Sequence, residues 1–407
     1  MKNTLMTLLF ITSTTFVSEC ASAEPTAMPE APAGVASIEN KSFQPGELWK
    51  DHNGVPINAH GGGILFHNGI YYWFGEHKVE GTLGNTAQVG VHVYSSKDLY
   101  DWKDEGIALA VSDDPQSEIT KGCILERPKV IYNAKTGKFV MWFHLELKGQ
   151  GYKAARSGVA VADTPTGPFT YLYSMRPNAG VWPLNFPKDQ QLPLSPKEFT
   201  HLKSLKISGG NGANSDGAKG FLVRRDFEGG QMARDMTLFV DDDGTAYHVF
   251  ASEENSTLHI SQLSEDYLKP AGRYIRTFEG QYNEAPALMK HLGKYYLISS
   301  GCTGWAPNAA RSAVADEILG NWTSLGNPSI GTEEQKKTTF DSQSTHILPV
   351  DGKPGAFIFM ADRWRPKNAI DGRYVWLPLQ FDARRHPILE WKDKWDLRAF
   401  ERKPAVP

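Results

Sequence analysis

The sequence predicts an all-β chain built as a five-bladed β-propeller of four-stranded blades, and two observations carry that prediction. Strand signals dominate: β-branched and aromatic runs are punctuated by Gly, Asn and Asp, and no convincing amphipathic helix stands among them. The chain also repeats itself. The stretch HNGIYYWFGEHK (67–78) and the later HLGKYYLISSGC (291–302) each place a Gly before two tyrosines and a short apolar run. Self-similarity of this kind marks an architecture of repeated units.

Aligning the turn glycines Gly69, Gly137, Gly244, Gly293 and Gly352 brings five units into register. Their leading segments are NAHGGGILFHNG, LERPKVIYNAKTG, ARDMTLFVDDDG, NEAPALMKHLG and DSQSTHILPVDG. In each, a polar residue opens a short apolar strand: His60, Glu126, Asp235, Glu284 and Gln343, set 9, 11, 9, 9 and 9 residues before the Gly. A second strand follows each turn (IYYWFGE, KFVMWFH, TAYHVFAS, KYYLISS, AFIFMAD), and further strands complete the units, several ending on a Trp or Tyr. The first strand of every propeller blade lines the central channel, so the five opening residues are expected to face one another at one mouth. Glu and Asp are depleted in strands. Three carboxylates in five equivalent positions therefore read as function.

The unit that follows Tyr173 is swollen by an insertion at about 174–223, rich in Pro, Gly, Asn and Lys. A long loop on a rigid scaffold is expected to shape a binding mouth. Residues 24–45, rich in Ala, Pro and Glu, read as a flexible lead-in to a single catalytic domain over 46–407. Residues 1–23 read as an export signal: Lys2, an apolar run over 5–16, and Ala-Ser-Ala at 21–23. A periplasmic or extracellular location is expected. No other segment approaches the roughly 20 apolar residues of a membrane helix. A formal net charge of -3 without a like-charge tail gives no footing for nucleic acid, and nothing sets an oligomeric state. With Cys20 removed alongside the signal, Cys123 and Cys302 remain, either paired or separately buried.

Carboxylates converging on a pocket lined with aromatics suit glycosidic bond cleavage, and the chain carries 11 Trp and 15 Tyr. One carboxylic acid must protonate the leaving oxygen, and a basic group must activate water or attack directly. Glu284 and Asp235 open successive blades and are expected to be neighbours, one the acid and the other its electrostatic modulator. Sugar contacts are expected from Glu76, which ends the second strand, from His60 and Tyr152, and from Thr303, Trp305 and Asn308 in TGWAPN. The runs SEEN (252–255) and DDDG (241–244) resemble metal ligands, but the second suits a hairpin turn, and no zinc-ligand spacing recurs around His60, His144 and His346. The chemistry requires no cofactor; a structural Ca²⁺ in the channel is the one metal considered.

The segments AHGGGILFHNGIYYWFGEHK, ERPKVIYN, RDMTLFVDDDG, NEAPAL, SGCTGWAPNAAR and SQST, in that order, resemble glycoside hydrolase family 43. These are five-bladed propeller enzymes acting on arabinose-, xylose- and galactose-containing polysaccharides. The segments look most like the branch that contains exo-β-1,3-galactanases, and the resemblance covers nearly all of 46–400. It implies an inverting exo-glycosidase of plant-type polysaccharide or arabinogalactan side chains, a galactan 1,3-β-galactosidase. An α-L-arabinofuranosidase or β-xylosidase on the same scaffold, and a non-catalytic propeller lectin, stand as alternatives. The resemblance implies that Glu284 is the general acid and that Asp235 tunes it and holds the sugar. Most members open the first blade with an Asp as base, whereas NAHGGG offers only Asn58 and His60. The galactanase-like branch shares that absence and relies on a Gln of the fifth blade to position or activate water, matched here by Gln343. Glu126 is the other candidate base, although the branch assigns its counterpart mainly to holding the sugar.

Overall fold

The computed structural model describes residues 42–86, 88–205 and 219–401; the expected export signal and most of the lead-in lie outside these residues. Five sheets follow in chain order. Blade one holds β1 (His60–His67), β2 (Ile70–Lys78), β3 (Gln88–Ser96) and β4 (Lys103–Ala110). Blade two holds β5 (Ile124–Asn133), β6 (Lys138–Glu146), β7 (Arg156–Ala162) and β8 (Thr170–Met175). Blade three holds β9 (Met236–Val240), β10 (Ala246–Ser252), β11 (Thr257–Leu263) and β12 (Pro270–Thr277). Blade four holds β13 (Asn283–His291), β14 (Lys294–Gly301), β15 (Arg311–Ala315) and β16 (Thr323–Gly326). After a short β17 (Ser329–Ile330), blade five holds β18 (Gln343–Pro349), β19 (Phe357–Arg363), β20 (Arg373–Phe381) and β21 (Pro387–Glu390), with β17 added parallel to β21.

The repeated tyrosines explain how the blades stack. Neighbouring strand residues point to opposite faces, so each Tyr-Tyr pair serves two interfaces. Tyr71 packs towards blade five and Tyr72 towards blade two. Tyr295 packs towards blade three and Tyr296 towards blade five. Five buried clusters occupy the five interfaces between blades. The ring closes between blades five and one on the most aromatic of them: Trp73 lies 4.6 Å from Tyr374, 4.7 Å from Trp376 and 5.3 Å from Trp102 between ring centroids. Truncating a buried aromatic of this kind removes both transfer free energy and packing. Trp73→Ala is expected to cost about 3–5 kcal/mol, read as a lower denaturant midpoint.

Two boundary expectations are corrected. The lead-in ends before Phe43, because Phe43 is buried in the closing cluster and exchanges backbone hydrogen bonds with Trp395 at 2.8 and 3.1 Å. The insertion does not shape the channel mouth with any of its described residues. It carries helix α1 (Pro196–Ser204), started by a Ser195–Glu198 capping box, and α2 (Phe221–Arg225). Its aromatics find partners among themselves and on the outer edge of blade three: Trp182 stacks on Phe227, the Leu184 N–H donates to Tyr274 O at 2.8 Å, and Asn185 bonds both backbone groups of Arg276. Residues 206–218 of the insertion lie outside the described set. The remaining helix, α3 (Glu333–Thr338), precedes blade five. None of the helices among the described residues is long and apolar enough to cross a membrane.

Candidate active site

Four of the five innermost strands carry a β-bulge at or beside their opening residue: between His60 and Gly63, Glu126 and Lys129, Glu284 and Ala287, and Ser344 and His346. A bulge turns a strand and re-aims its side chains. Arg127 and Ala285 take left-handed backbone (φ 56° and 51°), as does Gly61 (φ 62°). A Cβ on Gly61 would stand 2.4 Å from Oε1 of Glu76, which is why the first blade needs glycine there.

The bulges open onto one cleft of about 330 Å³, lined by Glu76, Asn85, Glu126, Arg127, Tyr152, Arg234, Asp235, Asn255, Glu284, Cys302, Gly304, Trp305, Gln343 and Trp364. The carboxylates predicted from the blade openings are thus brought together. The buried Lys129 side chain donates to Gly61 O at 3.0 Å. Lys129 and His346 line a separate cavity.

Glu284 is pushed up to about 7 by burial first and by the neighbouring charge of Asp235 second. The size of this shift matters. At pH 6.5 a carboxyl at the ordinary 4.5 would be protonated in about 1% of molecules, one at about 7 in roughly three quarters. The Oε1 of Glu284 accepts from Nδ2 of Asn255 at 2.8 Å and from the Cys302 thiol at 3.1 Å. Asp235 accepts the Ala285 N–H at 3.0 Å and pairs with the Arg127 guanidinium at 3.0 Å.

Glu126 has the opposite environment. Burial pushes it up, but the hydrogen bond and positive charge of His144 outweigh burial and bring it to about 2. His144 Nδ1 meets its Oε2 at 2.9 Å, and its Oε1 accepts from Tyr152 at 2.8 Å and from Asn85. Burial works against protonation of His144, yet Glu126 on one ring nitrogen and Glu146 on the other raise it to about 9. Donor atoms of Glu126, His144 and Asp235 lie within 4.8 Å of one another, a grouping that could suit a metal ion. The doubly bonded imidazolium already supplies positive charge there.

Gln343 is held by an amide whose orientation its neighbours dictate. Arg127 Nη2 at 2.6 Å and Trp364 Nε1 at 2.9 Å can only donate, so both bonds end on Oε1. Its Nε2 donates to Ser300 Oγ at 2.9 Å. Both lone pairs of the amide oxygen are spoken for.

Among the expected sugar-contacting residues, Glu76, Tyr152 and Trp305 line the cleft. Glu76 is buried, accepts the Arg127 N–H at 2.9 Å and pairs with Lys78; Trp305 meets Trp364 edge-on at 5.7 Å. The other three do not line it. His60 is fully buried and stacks on Tyr374 at 5.3 Å, although its strand carries the same bulge as those of Glu126 and Glu284. Thr303 and Asn308 bond to each other at 2.7 Å, and Asn308 bonds both backbone groups of Gly301, so they brace the loop that carries Trp305. The carboxylates of SEEN bind cationic side chains instead: Glu253 holds Arg276 and His259, and Glu254 pairs with Arg225 and Arg234. DDDG is a turn, with the Gly244 N–H donating to Asp241 O at 2.9 Å. Both cysteines are free and buried.

Sequence reading missed Arg127, Asn85, Asn255, Cys302 and Trp364. Arg127 follows a predicted carboxylate in ERPK, and Cys302 had been weighed only as a disulfide partner. Asn85 lies in an irregular segment with no periodic signal.

Residues 217–375 match Glycosyl hydrolases family 43. Among solved structures, the chain is similar to a GH43 β-1,3-galactosidase solved with galactodeoxynojirimycin, with 53% identity, a TM-score of 0.81, and coverage of 87% of this chain and 100% of that one. It is similar to an exo-β-1,3-galactanase from Clostridium thermocellum, with 36% identity, a TM-score of 0.70, and coverage of 88% and 66%. A third is the exo-β-1,3-galactanase from Phanerochaete chrysosporium solved with galactose, with 31% identity, a TM-score of 0.68, and coverage of 88% and 68%. A β-D-galactofuranosidase from Aspergillus niger is 29% identical over 129 residues, and the chain spans 37% of that protein's length.

Proposed function

The chain belongs to glycosyl hydrolases family 43, and from that premise we propose that it is an inverting exo-β-1,3-galactosidase that releases galactose from the ends of β-1,3-galactan chains. The observation that carries this reading is Glu284, a buried carboxyl raised to about 7 beside Asp235 in the cleft at the blade openings. The similar structures, a β-1,3-galactosidase and exo-β-1,3-galactanases, favour galactose linked β-1,3 over arabinose or xylose. A carboxyl raised at Glu284 and one lowered at Glu126 in the same cleft favour catalysis over mere sugar binding.

In this reading Glu284 protonates the glycosidic oxygen as the bond to the anomeric carbon breaks. Asp235, anchored by Arg127, faces the positive charge that develops on the sugar ring and keeps Glu284 protonated beforehand. Gln343 orients the attacking water through its remaining amide hydrogen, since its oxygen has no lone pair left for a proton. The water becomes strongly acidic only once it bonds the anomeric carbon, so even a weak base suffices. Glu126 Oε2, hydrogen-bonded to His144 Nδ1, supplies it. Glu76, Tyr152, Trp305 and Trp364 grip hydroxyls and ring faces. Side chains alone carry this chemistry. The export signal expected at 1–23 supports a location outside the cytoplasm, where polysaccharide is met, and action on plant-type or arabinogalactan material.

A release assay tests the assignment. With β-1,3-galactan and aryl glycosides of galactose, arabinofuranose and xylose side by side, free galactose is expected as the main product, from the polymer as well as the aryl galactoside. Preferential release of arabinose or xylose would replace the substrate assignment with another family activity.

A further inference from the structure

We propose, resting on the reading of Glu284 as the acid, that Asn255 and Cys302 are positioning residues that confine its transferable proton to one oxygen, Oε2. Both donors converge on Oε1, at 2.8 Å from Asn255 Nδ2 and 3.1 Å from Cys302 Sγ. The orientation of the Asn255 amide is not free to reverse. Its Oδ1 accepts from Arg234 Nη1 at 3.3 Å, and a guanidinium only donates, so the NH₂ group must face Glu284. The Cys302 thiol is a donor too. Burial and the nearby Glu284 push it up to about 12, so it keeps its hydrogen wherever the enzyme would work.

A proton on Oε1 would meet a nitrogen with no lone pair to receive it. The carboxylic proton therefore resides on Oε2. When it moves to the glycosidic oxygen, the electron pair of the breaking C–O bond goes to that oxygen and Glu284 becomes a carboxylate. The two donors on Oε1 then stabilise the charge left behind, as hydrogen bonds to an ionised acceptor do more strongly than to a neutral one. Asn255 and Cys302 thus make Glu284 a better acid in the transition state while fixing the direction in which it gives its proton. Asn255 is set for this by its own backbone: Glu253, Glu254 and Asn255 are three consecutive left-handed residues (φ 52°, 58° and 66°), a tight turn that brings the amide back to β13.

The test compares Cys302→Ala, Cys302→Ser and Asn255→Ala on two substrates. β-1,3-Galactobiose has a leaving group that needs a proton; dinitrophenyl β-galactoside does not. Each alanine variant is expected to lose roughly 3- to 10-fold in kcat/KM on galactobiose, the worth of one such hydrogen bond, and to stay within about 2-fold on the aryl substrate. Removing a donor disfavours the carboxylate, so the basic limb of the pH profile should move to higher pH. Cys302→Ser, which keeps a donor, should lie closer to the wild type on both measures. Equal losses on both substrates, an unmoved basic limb in both alanine variants, or a serine variant no better than alanine would each overturn the proposal. Should the wild type leave galactobiose intact, the substrate reading fails instead, and the same comparison is run on a glycoside that it does cleave.

Discussion

Glu284→Gln is expected to lower turnover of β-1,3-galactobiose by about 10²–10⁴-fold, the usual worth of a general acid, while leaving the affinity for the sugar nearly unchanged. The amide keeps the shape of the carboxyl, and its oxygen can still accept from Asn255 and Cys302. What it lacks is a proton to give. A dinitrophenyl galactoside should suffer far less, because its leaving group departs without protonation. Turnover of the disaccharide and calorimetric binding to the inactive variant measure the two halves of this expectation. Near-normal hydrolysis of the disaccharide would remove Glu284 from its role.

Gln343→Ala is expected to cut turnover by roughly 10²-fold or more, a loss typical of removing a preorganised donor at the reacting centre, with no new titration on the acidic side. No charge disappears in this variant, yet Arg127 and Trp364 lose their shared acceptor and the water loses its orienting N–H. Gln343→Glu offers those two donors the same oxygen position and adds a base that can titrate. It should retain more activity than the alanine variant and should gain an acidic limb. The kcat and pH profiles of the pair decide the matter. Equal and mild effects in both would mean that water is positioned elsewhere, with Glu126 the first residue to re-examine.

The fold was legible because a propeller writes its period into its sequence. Turn glycines at fixed distances, and tyrosine pairs that feed two interfaces at once, require no knowledge of long-range contacts. The opening residues Glu126, Asp235, Glu284 and Gln343 were legible for the same reason, since equivalent strand positions converge on one channel mouth. His60 broke the rule: its strand bulges as those of Glu126 and Glu284 do, yet its ring is buried against Tyr374. Thr303 and Asn308 sit beside Trp305 in sequence but spend their polar groups on their own loop. Asn255 and Cys302 were invisible as partners of Glu284, because each lies on a different stretch of chain and only tertiary packing brings them together. The insertion was misread because length and composition say that a loop is long, not which blade edge it will cover.

Stereochemistry tests the account most directly. Proton NMR of galactose released from β-1,3-galactobiose, recorded before mutarotation sets in, is expected to show the α-anomer forming first, because water attacks from the face opposite the departing group. First formation of the β-anomer would mean that a side chain attacks the sugar, and would contradict the roles given to Glu284, Gln343 and Glu126 together.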